Sequence, residues 1–362
     1  MILCPESHKG IYEDLENSFD LKFLPGGASM NAIRAAQWAL KNQEEAEGAT
    51  FCTGTVGNDK NADRMTSAAD YAGVRTRYFK VHEAFRNPSY SGIVSTAEED
   101  NSSSEDSNAI SEIDNPKAHL PTGTCAVLLT DEGVNRSLVT NLAAARIYTT
   151  SFLERVWPQV QQAKYFYAPG FFLSTENGQG LATLKMIGDH CIENNKTFIT
   201  NISAPFICNV FKRELSEVMQ FADIVFGNDF EFLAWGEANP DLVPEEKKKD
   251  LKFINKAIAN LPQKDRRNGD EKKPRLAITT RGHLSTLVSQ GDSQVFEIPV
   301  HTIPDNEFVD TNGAGDAFVA GFICGLIYNQ SIVDCLECGN KVAGSIIRMN
   351  GCTFPQESLL RF

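Results

Sequence analysis

Long apolar stretches are missing from this sequence. No run approaches the roughly 18 consecutive apolar residues of a membrane-spanning helix, so we expect no membrane partner. An excess of basic residues is missing too, because 47 Asp and Glu outnumber 34 Lys and Arg and give a formal net charge of -13. Nucleic-acid surfaces depend on clustered Lys and Arg, so we expect no nucleic-acid partner. Residues 1–7 contain neither a basic segment nor a long apolar core, and we expect no secretory signal peptide.

Cysteine pairs with a regular spacing are also absent. The nine Cys are scattered, and an odd number in a chain of 362 residues is typical of reduced thiols inside the cell. Cys335 and Cys338 form one C-x-x-C pair within a helical pattern, and no second pair lies nearby in the sequence to complete a metal site. We therefore expect a cytoplasmic protein, with the nucleus as a second location.

The remaining composition is that of an ordinary globular protein, with 42% hydrophobic and 22% charged residues. A chain of this length predicts one large or two modest domains, at about 150 residues per domain. Residues 51–57 predict a strand and residues 58–72 a helix, and another strand and helix follow within residues 164–194. Such alternation is typical of an α/β fold with a parallel sheet.

The stretch most informative about function is D-T-N-G-A-G-D-A-F at residues 310–318, which precedes an apolar helical pattern. Glycines at 313 and 315 would let a ligand approach the backbone, and free N–H groups of residues 314–316 at a helix start would attract phosphate. Asp316 at the same helix end would repel that phosphate. We therefore predict that Asp316 takes a proton from a hydroxyl that attacks the phosphate. The alternative is a Gly-rich turn in which Asp316 interacts favourably with the helix dipole.

Glycines and aromatics elsewhere also predict ligand contacts. Gly26 and Gly27, ahead of a predicted helix at 32–40, would let the backbone approach a ligand, and Asn31 could hydrogen-bond a sugar hydroxyl. A tight loop before a helix is the alternative. Phe171 and Phe172 follow the strand predicted at 164–168, at the edge where open α/β sheets bind ligands, and would either stack on a base or pack in the core.

Two polar residues follow the apolar strand predicted at 223–226. Asn228 and Glu231 are three residues apart at a strand-to-helix junction and would face the same way. They could hold a hydrated Mg²⁺ ion, which prefers few protein ligands and several waters. The alternative is an N-cap Asn with its capping-box Glu.

A small lid is predicted in the middle of the chain. Residues 122–129 and 136–141 predict two strands that are too close in sequence for a crossover helix, so we expect an antiparallel hairpin. Arg136 would be either a mobile cation near phosphates or an exposed hairpin arginine. Residues 97–116, rich in Asp, Glu, Ser and Asn, predict a disordered or solvated insert. Because the hairpin is small and polar, we expect a monomer.

The order of these motifs resembles the ribokinase-like (pfkB) carbohydrate kinase family. The shared features are Gly-Gly-x-x-x-Asn, a hairpin with Thr-Gly, Asn-x-x-Glu after a strand, Thr-x-Gly after the next strand, and the stretch at 310–318. The resemblance covers residues 5–356 apart from the acidic insert. It implies an α/β three-layer sandwich with a central, mostly parallel sheet and a small β lid. Residues 1–50 and 51–80 would begin the large domain with part of the lid, residues 81–145 would supply the lid strands and the insert, and residues 146–362 would complete the large domain.

Several shorter segments resemble the eukaryotic branch of this family that phosphorylates adenosine; they lie at residues 36–38, 121–125, 135–137, 141–145, 203–206 and 351–355. The resemblance implies transfer of the γ-phosphate of ATP, with Mg²⁺, to the 5′-hydroxyl of adenosine, giving AMP and ADP in purine salvage. Asp316 would be the catalytic base. The other implied residues form an anion hole at Gly313, Ala314 and Gly315, a nucleoside site at Gly26, Gly27, Asn31, Cys125, Leu138 and Phe172, and an ATP site at Arg136, Asn228, Gly282, Asn312 and Asn340. Glu231 would bind Mg²⁺ through water, and Asp310 is a second candidate ligand.

The resemblance has a gap at the start of the chain. The family's first strand ends in Gly-Asn-Pro and an Asp that grips the ribose hydroxyls, whereas residues 1–20 match the segment after it. We therefore expect the 362 residues to lack that strand, which would expose the neighbouring sheet edges. Two alternatives stay open: another ribokinase-like nucleoside or sugar kinase, and a truncated, non-catalytic nucleoside-binding protein.

Overall fold

The computed structural model describes residues 2–5, 10–43, 46–85, 116–130, 135–265, 273–358 and 360–361. The acidic insert predicted at 97–116 lies outside these residues, apart from its last position. The strands, in chain order, are β1 (Ile2–Leu3), β2 (Phe51–Val56), β3 (Arg75–Lys80), β4 (Thr124–Thr130), β5 (Asn135–Asn141), β6 (Tyr165–Pro169), β7 (Thr197–Asn201), β8 (Ile224–Asn228), β9 (Leu276–Arg281), β10 (Leu284–Gln290) and β11 (Phe296–Ile298).

The α-helices, in chain order, are α1 (Ile11–Ser18), α2 (Ala28–Leu40), α3 (Lys60–Tyr71), α4 (Val81–Phe85), α5 (Thr150–Val160), α6 (Gln179–Glu193), α7 (Pro205–Val210), α8 (Lys212–Met219), α9 (Asp229–Ala238), α10 (Leu251–Ala259), α11 (Ala314–Ile327) and α12 (Ile332–Ile347). None of these described helices combines the length and the apolar character that crossing a bilayer requires.

The largest sheet has six strands in the order β11-β10-β9-β8-β7-β6. The four strands from β6 to β9 are parallel, and β10 and β11 continue the sheet in antiparallel pairing. Helices connect the parallel strands, as the alternation of strand and helix patterns predicts. The predicted α/β fold with a mostly parallel central sheet is therefore confirmed.

Alternating side chains along the central strands build two hydrophobic layers, one on each face of the sheet. Phe198 and Val225 point into a core that also contains buried residues of α5, α6, α8, α9 and α10. Their neighbours Ile199 and Phe226 point the other way, into a core that they share with α11 and α12. Because successive side chains of a strand face opposite sides, buried strands of this kind need helices on both faces. This arrangement is the predicted three-layer sandwich.

Two smaller sheets complete the fold. The first, called the lid, is the sheet β1-β5-β4. Its strands β4 and β5 form the predicted antiparallel hairpin, and β1 pairs in parallel with β5. The strands β2 and β3 form a separate parallel pair. Strand β6 ends the six-stranded sheet and is not paired with β2 in the described structure.

Candidate active site

A cleft of about 2920 Å³ lies at the carboxyl ends of the parallel strands and against the lid. The last residues of three of these strands, Pro169, Asn201 and Asn228, line it. Pockets for one small molecule usually measure about 300–1,000 Å³, so this cleft has room for two substrates of nucleoside or nucleotide size. Sixteen of the seventeen predicted site residues line it: Gly26, Gly27, Asn31, Cys125, Leu138, Phe172, Asn228, Glu231, Gly282, Asp310, Asn312, Gly313, Ala314, Gly315, Asp316 and Asn340. The side chain of Arg136, the seventeenth, lies outside the described part of the chain.

The start of α11 is shaped by its glycines. Gly313 precedes the helix with φ +79°, in the left-handed region, and a Cβ atom there would lie 2.8 Å from the Cβ of Cys352. Both the backbone conformation and the space therefore require glycine. A Cβ atom on Gly315 would meet nothing within 4 Å, so the helix start is open to the cleft on that side.

Within the described part of the chain, the number of free backbone N–H groups at this helix start is two, one fewer than the three predicted at residues 314–316. The N–H of Ala314 is bonded to the carbonyl of Thr311 at 3.2 Å, so it is not a free donor. Among the described residues, the N–H groups of Gly315 and Asp316 have no acceptor. These two groups, at the positive end of the helix dipole, make the position suitable for a phosphate.

Asp316 lies in the first turn of α11 and accepts a hydrogen bond from Nδ2 of Asn31 at 2.9 Å. Burial raises the pKa of Asp316 to about 7, although the hydrogen bond from Asn31 acts in the opposite direction. A carboxyl group with a pKa near the operating pH is well matched to accepting a proton. The pair joins α2 to α11, two helices separated by 285 positions in the chain.

Asn31 has a second polar atom with no partner. Its side chain is only 8% exposed, and its Oδ1 is buried without a hydrogen-bond partner among the described residues. The predicted contact of Asn31 with a sugar hydroxyl stays a prediction, and the structure adds that its Nδ2 orients the carboxylate of Asp316. The unpaired Oδ1, beside that carboxylate, can still accept a hydrogen bond from a substrate hydroxyl.

Asn228 and Glu231 form the capping box that was the alternative to metal binding. The N–H of Glu231 donates to Oδ1 of Asn228 at 2.9 Å, and the backbone N–H of Asn228 donates to Oε2 of Glu231 at 2.9 Å. Burial and the nearby charge of Asp316 raise the pKa of Glu231 to about 7, against the hydrogen bond from Asn228. Two carboxyl groups that titrate near neutrality therefore lie close together in the cleft.

The donor set at Glu231 fits a hydrated Mg²⁺ ion rather than a cage of protein ligands. Among the described residues, no group of three or more His, Cys, Asp or Glu side chains could hold a metal. Each oxygen of Glu231 accepts one N–H group of Asn228, which leaves lone pairs for water. Mg²⁺ usually keeps several waters and binds one or two carboxylates together with substrate phosphates.

Asp310, the second candidate metal ligand, is held by two loops. Its Oδ1 accepts the N–H of Asn312 at 2.8 Å and its Oδ2 accepts the N–H of Gly351 at 3.0 Å. The residue is only 7% exposed. These contacts favour a role in fixing the loop before α11. Sequence reasoning missed the partner, although the Asn350–Gly351 dipeptide is a typical turn signal.

The apolar wall of the cleft is made by the lid and by the segment after β6. Strand pairing sets Cys125 opposite Thr140, whose hydroxyl lies 3.2 Å from the Cys125 sulfur, and Leu138 lies on the same side of the hairpin. Phe172 packs edge-on against Tyr148, with ring centroids 5.5 Å apart. These side chains can contact a flat base, as an apolar pocket for a purine requires.

Three more of the predicted residues lie in turns or helices that border the cleft. Gly282 forms the turn between β9 and β10 with φ +60°, and a Cβ atom there would meet nothing within 4 Å. Asn340, in α12, is 6% exposed and donates from Nδ2 to the carbonyl of Pro299 at 3.2 Å. Gly27 caps the start of α2 with φ +97°. Their roles in binding stay predictions.

Comparison with known proteins identifies the family. The model of the pfkB family carbohydrate kinases matches residues 1–119 and 113–359. An adenosine kinase of Arabidopsis thaliana is 32% identical over 358 residues, covering 98% of this chain and 87% of that protein. The crystal structure of Anopheles gambiae adenosine kinase with P1,P4-di(adenosine-5) tetraphosphate superposes with a TM-score of 0.78 at 31% identity, covering 99% of this chain and 89% of that one. Adenosine kinase of Schistosoma mansoni with 2-fluoroadenosine also gives a TM-score of 0.78, at 28% identity, covering 98% and 88% of the two chains. This chain therefore belongs to the pfkB family of carbohydrate kinases.

Proposed function

We propose that this protein transfers the γ-phosphate of ATP to the 5′-hydroxyl of adenosine, giving AMP and ADP. The observation that carries the proposal is the position of Asp316, a carboxyl group with a pKa of about 7 beside two free N–H groups at a helix start. That combination serves a reaction that removes a proton from a hydroxyl and transfers an anionic group to it. The relatives named adenosine kinase support the choice of substrate.

The chain's own residues would act as follows. The carboxylate of Asp316 accepts the proton of the 5′-hydroxyl, whose oxygen forms a bond to the γ-phosphorus while the bond to the leaving ADP oxygen breaks. The N–H groups of Gly315 and Asp316 donate hydrogen bonds to the transferring phosphoryl group. Glu231 would hold a hydrated Mg²⁺ ion, which supplies positive charge to the phosphates when it is bound with ATP.

The nucleoside would lie between the lid and the segment after β6. Cys125, Leu138 and Phe172 provide apolar contacts to the purine, and the unpaired Oδ1 of Asn31 accepts a hydrogen bond from the sugar. The apolar wall favours a nucleoside over a bare sugar, because a sugar would leave that wall without a partner.

The assembly and the location are part of the proposal. We propose a monomer in the cytoplasm, with the nucleus as a second location. All nine Cys of the sequence are free thiols in the described structure, which suits a reducing compartment.

The test is AMP formation from adenosine, measured by chromatography with ATP and Mg²⁺ present. We expect Asp316→Asn to lower kcat by about 10²–10⁴-fold, the usual contribution of a positioned base, while the variant still binds adenosine. Absence of AMP from the wild-type protein would refute the proposed reaction. Faster phosphorylation of ribose than of adenosine would instead indicate a sugar kinase of the same fold.

A further inference from the structure

The root of the lid hairpin is tied to the body of the protein through the side chain of Asp59. This residue follows β2 and caps α3, where its Oδ1 accepts the N–H of Ala62 at 2.9 Å. The same carboxylate accepts two hydrogen bonds from Thr122, the backbone N–H on Oδ2 and the hydroxyl on Oδ1, both at 2.7 Å. Thr122 lies two residues before the start of β4, so these bonds are made where the hairpin leaves the body.

Close backbone packing surrounds this contact. The N–H of Gly57 donates to the hydroxyl of Thr122 at 3.0 Å, and a Cβ atom on Gly57 would lie 2.5 Å from the backbone nitrogen of Thr122. A Cβ atom on Gly123 would lie 2.8 Å from the carbonyl oxygen of Leu142, at the other root of the hairpin. Thr122 is 5% exposed, so water does not readily replace these bonds.

The charge of Asp59 strengthens the tie. Burial alone would raise the pKa of this carboxyl, but hydrogen bonds from Thr122 and Ala62 hold the pKa below its usual value. The group is therefore ionised at neutral pH, and its hydrogen bonds are charge-assisted. A bond of that kind is worth about tenfold to a hundredfold in an equilibrium constant.

We propose that Asp59 is a positioning residue for phosphoryl transfer, acting through Thr122 to hold the lid hairpin over the nucleoside. The hairpin residues Cys125, Leu138 and Thr140 line the cleft, and the first turns of α3 line it as well. Asp59 thus joins two walls of the site. The inference rests on the proposed function for the identity of the molecule that the hairpin covers.

The first test is Asp59→Asn, which keeps the helix cap and changes the tie to the lid. Asn is as good an N-cap as Asp, and its Oδ1 can keep the bonds from Ala62 and from the hydroxyl of Thr122. Its Nδ2 takes the place of Oδ2 and sets a donor against the backbone N–H of Thr122, so that hydrogen bond is lost. The matched control is Asp250→Asn, the same change at the N-cap of α10, which does not line the cleft. We expect Asp59→Asn to raise the KM for adenosine about tenfold or more with kcat within about twofold, and Asp250→Asn to leave both unchanged.

A second pair of variants keeps the proposal testable if Asp59→Asn does not fold. Thr122→Val removes the hydroxyl at nearly constant volume, whereas Thr122→Ser retains it. We expect the raised KM in the valine variant and near wild-type values in the serine variant. Thr149→Val is the matched control, because Thr149 is a 3% exposed N-cap of α5 that does not line the cleft.

Amide hydrogen exchange without substrates separates this inference from the proposed function. We expect faster exchange in residues 124–130 and 135–141 of Asp59→Asn or Thr122→Val, with the amides of β6 to β9 unchanged. Unchanged exchange in the hairpin together with an unchanged KM would overturn the positioning role. Faster hairpin exchange in a protein that makes no AMP would support the tie and refute only the proposed reaction.

Discussion

The hydrogen bond between Asn31 and Asp316 gives a prediction about the pH dependence of catalysis. Burial raises the pKa of Asp316 to about 7, and the N–H of Asn31 lowers it. Replacing Asn31 by Leu removes the donor and keeps a side chain of similar size. The carboxylate form then loses stabilisation, so the pKa of Asp316 must rise further.

The size of the shift follows from the strength of that bond. A hydrogen bond to a charged group is worth about 1.5–3 kcal/mol, and one pH unit corresponds to about 1.4 kcal/mol. The pKa of Asp316 should therefore rise by about 1 to 2 units in Asn31→Leu. At pH 7 the ionised fraction falls from about one half to about 1–10%, so kcat/KM should fall about 5- to 50-fold and recover above about pH 9.

The assay is kcat/KM for AMP formation between pH 5 and pH 10. The pKa of Glu231 is also raised to about 7, so the wild-type profile reports the titration of both carboxyl groups. Asn31 is hydrogen-bonded to Asp316, so the change in profile caused by Asn31→Leu is assigned to Asp316. The matched control is Asn239→Leu, because Asn239 is also 8% exposed but does not line the cleft. If the apparent pKa of the kcat/KM profile is unchanged or lower in Asn31→Leu than in the wild type, the assigned role of Asn31 is refuted. A loss that is equal at every pH would limit Asn31 to binding the sugar.

Three further predictions concern the same site. Because the native pKa of Asp316 is about 7 and the usual value is 3.8, folded protein holds a proton that unfolded protein releases between these values. The contribution of Asp316 to stability should therefore fall as pH rises from about 4 to 7. Asp316→Asn, followed by thermal unfolding, should lack that contribution, so the difference in stability between wild type and variant should change over this pH range. Gly313→Ala should lose about 1–3 kcal/mol of stability in denaturant titrations, whereas Gly315→Ala, with open space around its Cβ, should unfold like wild type or later. Phe172→Ala should raise the KM for adenosine about tenfold and leave the KM for ATP unchanged, and an equal effect on both substrates would contradict its place in the nucleoside site.

Local structure was predictable from the sequence wherever local chemistry decides it. The strand predicted at 164–168 is observed as β6, Tyr165–Pro169, within one residue of the predicted bounds, because a short apolar run of this kind has few alternatives to a buried strand. The glycine at 313 was predicted to allow a close approach, and its φ of +79° agrees with the conformational freedom that only glycine has. The order of motifs was sufficient to predict the family and the three-layer fold.

Contacts between distant segments could not be predicted in this way. Nothing in the sequence near Asn31 indicates that its amide bonds Asp316, because that contact depends on how α2 and α11 pack. The tie from Asp59 to Thr122 spans 63 positions and resembles an ordinary helix cap when α3 is considered alone.

The sequence by itself determined which residues could carry the chemistry: a carboxyl at a glycine-rich helix start, an Asn-x-x-Glu pair and the apolar residues Cys125 and Leu138 of the hairpin. Only the tertiary structure decided the protonation behaviour of the two carboxyl groups. The pKa values of about 7 for Asp316 and Glu231 arise because folding removes water from both groups, and for Glu231 also because folding brings the charge of Asp316 close. Desolvation and charge proximity belong to the packed chain, and therefore the same residues in an unfolded chain would titrate as ordinary acids.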